Sequence, residues 1–210
     1  MSGRRALSAT DAASLGRCIA GAGVAVLPTD TVYGLACDPG SEAAVRRLYE
    51  LKGRTPRKPA AVMLLDRERA IAGLPGSLGG RTLRALRRLL PGAVTVLLPN
   101  PARLWPLACA GDPDTLGLRV PALGHRIAAL ADVSVPLLQS SANVSGGPDA
   151  ASAEEVPRSI REGADLVLDA GPAPGTPSTV VDLRAYDSGG EWVLIREGAV
   201  ARGAIDAALG

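Results

Sequence analysis

Phenylalanine is absent from this 210-residue chain, and aromatic residues make up only 2% of it. The core therefore has to be built from Ala, Val, Leu and Ile. A platform for stacking nucleic-acid bases, which needs aromatic faces, is disfavoured. Histidine occurs once, as His125. That excludes a histidine-rich metal site and leaves any Ser–His–Asp triad resting on one residue. The three cysteines, Cys18, Cys37 and Cys109, are scattered and form no C-x-x-C. This argues against a disulfide framework or a zinc site and for a reducing compartment. Formal net charge is only +2, so a basic site must be local. No apolar run is long enough to span a bilayer, and no apolar signal core follows Arg4 and Arg5. The expectation is a soluble, cytoplasmic protein that does not touch the membrane. Neither G-x-x-x-x-G-K-[ST] nor G-x-G-x-x-G occurs, so a nucleotide would be held without a P-loop or a dinucleotide fingerprint. No carboxylate pair suited to acid–base work stands out. Catalysis would lean on cations and on positioning.

What is present is an aliphatic chain, 47% hydrophobic, long enough to bury a sizeable core. Helical periodicity marks 10–23, with Thr10 or Asp11 as its cap, and "SEAAVRRLYELKG", capped by Ser41. It also marks "GGRTLRALRRLL", "LGHRIAALAD", "SAEEVPRSIREG" and "RGAIDAALG". Short strands are expected at "VAVLP", "AAVMLL", "AVTVLLP", "LGLRVP", "VSVPLLQ", "ADLVLDAG", "STVVDLR" and "EWVLIRE". Pro136 puts "VSVPLLQ" at a sheet edge or marks a strand start. Alternating elements early and clustered strands late predict an α/β fold with a mixed, twisted sheet. No linker interrupts it, so a single domain over 1–210 is expected.

Polar clusters punctuate the strand ends. "PTDTVYGLACDP" offers Thr29, Asp30 and Thr31, either as turn and cap residues or as ligands for an amino acid or a phosphate. In "LKGRTPRKPAAVML", Lys52, Arg54, Arg57 and Lys58 crowd seven positions between a helix and a strand, in a loop that Gly53, Pro56 and Pro59 would hold in shape. Such a run is either a solvated face or a preformed phosphate cradle. In "LQSSANVSGGP", Ser140, Ser141 and Asn143 follow an apolar run, at a strand end where α/β proteins commonly bind ligands. Ser178 and Thr179 open one late strand. Arg196 closes another, free to meet a phosphate or to pair with Glu197 or Asp182. Arg119, inside an apolar strand, either faces solvent or points into a site as a fork for a carboxylate.

The segments "PTDTVYGLACDP", "KGRTPRKPAAVML", "PGAVTVLL", "LGLRVP", "SSANVSG" and "STVVDL…LIREGA" occur in this order over about Val24 to Val200. Together they resemble the threonylcarbamoyl-AMP synthases, the YrdC-like domain. The resemblance implies an open twisted α/β sheet with flanking helices and a concave basic cavity. It implies a nucleotidyltransferase that turns L-threonine, bicarbonate and ATP, with Mg²⁺, into threonylcarbamoyl-AMP and pyrophosphate. It also implies delivery of the product to tRNA threonylcarbamoyl transferase machinery, with at most a weak direct contact to tRNA. By the same resemblance Lys52, Arg54, Ser141 and Asn143 serve catalysis. Thr31, Arg119, Ser141 and Ser178 hold threonine. Arg54, Lys58, Asn143 and Arg196 hold ATP, and no side chain is assigned to the metal. Asp30 stands where Glu is common, Met63 where some members place a histidine, and the spacing from Arg119 to His125 is one residue longer than is usual.

Two other readings compete. A non-catalytic RNA-binding YrdC-like module would use a basic groove, against which the missing aromatics count. A carbamoyl-adenylate-forming relative would use carbamoyl phosphate, and this chain lacks the acylphosphatase-like and zinc-finger regions of such multidomain proteins. The segment Gly171–Pro177, rich in glycine, alanine and proline, is expected to cover bound ATP and to be loosely held without it.

Overall fold

The computed structural model describes residues 5–55, 58–74, 76 and 78–210. Arg4, Pro56 and Arg57 lie outside the described residues. In chain order the helices are α1 (Ala9–Ala20), α2 (Glu42–Leu51), α3 (Arg67–Ala72), α4 (Gly80–Leu89), α5 (Pro106–Cys109), α6 (Arg158–Gly163) and α7 (Arg202–Leu209). The strands are β1 (Ala25–Leu27), β2 (Gly34–Cys37), β3 (Ala61–Met63), β4 (Val94–Pro99), β5 (Thr115–Arg119), β6 (Leu137–Ser141), β7 (Leu166–Val167), β8 (Thr179–Asp182) and β9 (Val193–Arg196). They form one mixed sheet in the order β7-β1-β2-β6-β3-β5-β4-β8-β9.

Several sequence expectations change in detail. Ser8, not Thr10 or Asp11, caps α1, and Asp11 closes a capping box back onto it. The segment "LGHRIAALAD" winds as a 3-10 helix, His125–Asp132, rather than as an α-helix. Pro136 does mark a strand start: β6 is central, and it runs on through Ser140 and Ser141. Pro157 leaves only Arg158–Gly163 helical in its segment. The apolar half of "PTDTVYGLACDP" forms β2, which pairs antiparallel with both β1 and β6. Helix α4 starts at Gly79, which has no capping side chain. Asp187, from the β8–β9 connection, accepts from the Gly79 and Thr82 amides at 2.7 and 3.0 Å instead. A Cβ at Gly79 would meet that carboxylate at 2.5 Å, so only glycine admits the cap.

Alternation in the strands sets where the site lies. On one face Val26, Leu35, Val62, Val96, Leu116, Leu118, Leu138 and Val181 share a core with Val45 and Leu48 of α2, Leu86 of α4 and Ile205 of α7. On the other face Ala25, Leu27, Ala36, Met63 and Leu137 pack with Leu15 and Ile19 of α1 and with Ile127 and Leu130 of the 3-10 helix. A fully buried leucine of this kind contributes about 1.5–3 kcal/mol. That second layer of helices reaches only as far as β3. Beyond it, over β5, β4 and β8, the same face is left open. No helix among the described residues is long and apolar enough to cross a membrane.

Candidate active site

The open face is the floor of a cavity of about 560 Å³. Alternate residues build it: Thr95 and Leu97 from β4, Thr115, Gly117 and Arg119 from β5, Gln139 and Ser141 from β6, and Val180 from β8. Four arginines stand on its wall, Arg54, Arg119, Arg184 and Arg196, with Asp112 and Asp149. Of the residues singled out in the sequence, Arg54, Arg119, Ser140, Ser141, Ser178 and Arg196 reach this wall. Thr31, Lys52 and Asn143 stand directly behind it.

Arg119 is 3% exposed. Its Nη2 donates to Asp30 Oδ1 at 2.5 Å and to Thr31 Oγ1 at 2.6 Å. Asp30 Oδ2 accepts from the Ala122 amide at 2.9 Å. Arg119 therefore does not face solvent, and the shorter Asp30 makes its contact directly. The Nε of Arg119 is buried without a partner among the described residues. Thr29 Oγ1 lies 2.9 Å from Thr31 Oγ1 and donates to the Val32 carbonyl at 2.7 Å, which shapes the turn into β2.

Lys52 caps the C-terminus of α2 and is 1% exposed. Its ammonium donates to the Ser141 carbonyl, to the Asn143 carbonyl at 2.8 Å and to Asn143 Oδ1 at 3.1 Å. Ser141 Oγ donates to the same Oδ1 at 2.7 Å, and Asn143 Nδ2 donates to the Gly147 carbonyl at 2.5 Å. Lys52 is thus the post on which the Ser-Ala-Asn turn is fixed. Burial above all, then the Arg54 charge, pushes its pKa down to about 8, and Asp149 opposes the shift. Arg54 donates from Nη1 to Ser140 Oγ at 2.9 Å and from Nη2 to the Pro59 carbonyl, and lies 5.6 Å from the Tyr49 ring centroid. Lys58 is exposed and lies off the wall; its carbonyl accepts from Tyr49.

Arg196 bonds the Ser178 carbonyl at 2.7 Å, not Glu197 or Asp182. Glu197 accepts from the Arg202 amide, and Asp182 is taken by Arg184. Ser178 and Thr95 share a hydrogen bond of 2.9 Å. A Cβ at Gly198 would run into the Pro177 carbonyl oxygen, so the chain after β9 crosses Ser178 only because that residue is glycine. The Gly171–Pro177 segment has few anchoring side chains, yet its backbone is tied down. Gly175 donates to Thr31 at 2.8 Å, Ala173 to Ala151 at 2.7 Å, and Tyr33 donates to the Gly171 carbonyl at 2.7 Å. Of this segment Pro177 lines the cavity, while Gly171, Pro172, Ala173 and Pro174 line a separate hollow together with Asp30 and His125.

Sequence reasoning missed Asp112, Thr115 and Arg184. Arg184 binds Asp182 at 2.6 Å and Thr115 Oγ1 at 3.0 Å, and lies 3.6 Å from Asp112. For Thr115 the signal was the two-residue alternation with Gly117 and Arg119 in a strand read only as apolar; Asp112 and Arg184 lie outside the strands and carried no such signal. His125 is exposed and lines a second, shallower hollow of about 450 Å³ behind Asp30.

A sequence model named Sua5_yciO_yrdC, described as "Telomere recombination", matches residues 17–198. The chain belongs to the Sua5/YciO/YrdC family. A threonylcarbamoyl-AMP synthase of Bacillus subtilis (strain 168) is 33% identical over 189 residues, 89% of this chain and 53% of the relative. A threonylcarbamoyl-AMP synthase of Thiobacillus denitrificans is 34% identical over 161 residues, 77% of this chain and 85% of the relative. The chain spans about half the length of the Bacillus relative and of a Pyrococcus abyssi one. Among solved structures, P. abyssi Sua5 complexed with L-threonine superposes with a TM-score of 0.85 at 28% identity, over 97% of this chain and 58% of that one. E. coli YciO, at 22% identity and a TM-score of 0.79, covers 94% of both chains and shares the Sua5/YciO/YrdC fold.

Proposed function

We propose that this protein condenses L-threonine, bicarbonate and ATP into threonylcarbamoyl-AMP and pyrophosphate, and so feeds tRNA threonylcarbamoyl transferase machinery. The observation that carries the reading is the division of the wall arginines, in a family whose similar members bear that activity in their names. Arg119 and Arg184 each hold a carboxylate. Among the described residues Arg54 and Arg196 hold neutral oxygens of Ser140, Pro59 and Ser178 and no carboxylate. Two uncompensated guanidinium groups suit a triphosphate. A neutralised, buried arginine beside the hydroxyls of Ser178 and Thr95 suits the carboxylate of an amino acid.

The chemistry then needs little beyond positioning and charge. The threonine amine displaces hydroxide from bicarbonate, giving a carbamate and water. A carbamate oxygen attacks the α-phosphorus of ATP, and the bond to the bridging oxygen breaks with pyrophosphate as leaving group. Arg54 and Arg196 offset the charge that grows on that leaving group. Mg²⁺ would arrive on the triphosphate, since it favours phosphate oxygens and retained waters. Among the described residues no group of three His, Cys, Asp or Glu could hold a metal alone.

Pyrophosphate release that needs all three substrates tests the reading. No release would favour an RNA-binding module, and release on replacing threonine and bicarbonate with carbamoyl phosphate would favour the carbamoyl-adenylate reaction. A site that bonds the threonine hydroxyl should turn over valine poorly, because a buried partner is left unmet. Serine, short of one methyl worth about 0.8 kcal/mol, should remain a weak substrate. Comparable rates with valine would show that the hydroxyl is not read. Arg196→Ala should weaken ATP binding by about tenfold or more, as expected for a charge-assisted bond, with an unchanged melting temperature. Unchanged ATP affinity would remove Arg196 from the nucleotide site.

A further inference from the structure

We propose that Asp30 is a charge filter at the amino-acid end of the cavity: by neutralising Arg119 it confines polyanions to the Arg54 and Arg196 side. The inference rests on the reading of the cavity as a shared site for an amino acid and a triphosphate. In such a site the larger charge belongs to the triphosphate, and every bare guanidinium competes for it. A buried arginine would be the strongest competitor, because water screens it least. ATP seated on Arg119 would block threonine.

The geometry removes that competition. Asp30 and Arg119 form the most deeply buried ion pair among the described residues, with side chains 10% and 4% exposed. Both oxygens of Asp30 are engaged, one by Arg119 and the other by the Ala122 amide. The carboxylate is therefore held at two points and does not swing aside for an incoming anion. Arg119 keeps Nη1 and Nε without partners among the described residues. It still offers directional donors to one carboxylate, but no net charge to a polyphosphate. Asp30 acts through Arg119 and is a positioning residue, not a catalytic one. Among the described residues Arg54 and Arg196 have no such partner, which leaves the attraction for phosphate on their side.

Inorganic tripolyphosphate is a suitable probe, because its binding is read by calorimetry without any turnover. In the unmodified protein it should bind at one site, and saturating threonine should leave its affinity unchanged. In Asp30→Asn it should bind at a second site and raise the apparent Kd for threonine at least fivefold, competitively. The melting temperature of Asp30→Asn should fall, and tripolyphosphate should restore it more than it raises that of the unmodified protein. Asp30→Glu, which keeps the charge, should retain the original pattern. Competition between tripolyphosphate and threonine in the unmodified protein would overturn the proposal even if Asp30→Asn failed to fold. An Asp30→Asn protein that keeps the non-competitive pattern would overturn it as well. Loss of the proposed synthase activity alone would sink the functional reading and leave these binding results to stand or fall separately.

Discussion

A Lys52→Met variant is expected to lose a hundredfold or more in turnover. The ammonium of Lys52 holds three acceptors of Ser141 and Asn143. A bond to a charged group is worth about 1.5–3 kcal/mol, and each 1.36 kcal/mol is about tenfold in rate. Methionine fills the volume and donates nothing, so the Ser-Ala-Asn turn loses its post. The pH dependence gives a second, independent sign. Deprotonation leaves two N–H donors and a lone pair among three acceptors, so the rate should fall as pH rises through about 8. Stability should move the other way. The folded pKa lies below the ordinary 10.5, so the unfolded chain binds more protons between about 8 and 10.5. The lysine's penalty on folding is complete below about 8 and fades as pH rises through that window. Rate and denaturant stability measured in the same buffers, with the variant as baseline, should diverge. Near-normal turnover in Lys52→Met would show that the turn does not depend on this contact.

Arg119→Met should be costly in two ways at once. It strands Asp30 as a buried charge with only the Ala122 amide for a partner, and breaking a buried pair costs about 3–5 kcal/mol. That is a large part of the 5–15 kcal/mol typical of a folded domain. It also removes the fork proposed for the amino-acid carboxylate, so threonine affinity should fall by about ten- to a hundredfold. Adding Asp30→Asn to Arg119→Met should recover most of the stability and none of the threonine affinity. Equilibrium unfolding and threonine titration of the four proteins separate the two losses. A single Arg119→Met variant as stable as the unmodified protein would mean that the pair contributes nothing net.

The helices α1, α2, α4 and α7 were legible because their apolar residues recur at 3.6-residue spacing, and Ser41 named its own helix start. The cap of α1 was misplaced because Asp11 looks like a cap but serves as the reciprocal partner of Ser8. Strand β2 was missed because Gly34–Cys37 is too short to show alternation and is buried on both faces. Strand β6 was ended too early because two serines read as a loop. They stay in the strand because both pair with β2, Ser140 with Leu35 and Ser141 with Gly34, and both line the cavity, where polar side chains are not buried against helices.

Local sequence determined the segments that carry chemistry and their order along the chain, because turn formers, cations and strand ends are set by neighbours a few residues apart. It also determined that the site uses arginines, hydroxyls and amides, since the chain offers one histidine and almost no aromatics. The tertiary structure alone decided which arginines are free. Asp30 and Arg119 are 89 positions apart, and Arg54 and Ser140 are 86 apart. No local pattern says which cation a distant carboxylate will neutralise. That choice is made when antiparallel and parallel pairing bring the ends of β5 and β6 beside the turn before β2, and burial then fixes each charge with the partner it has.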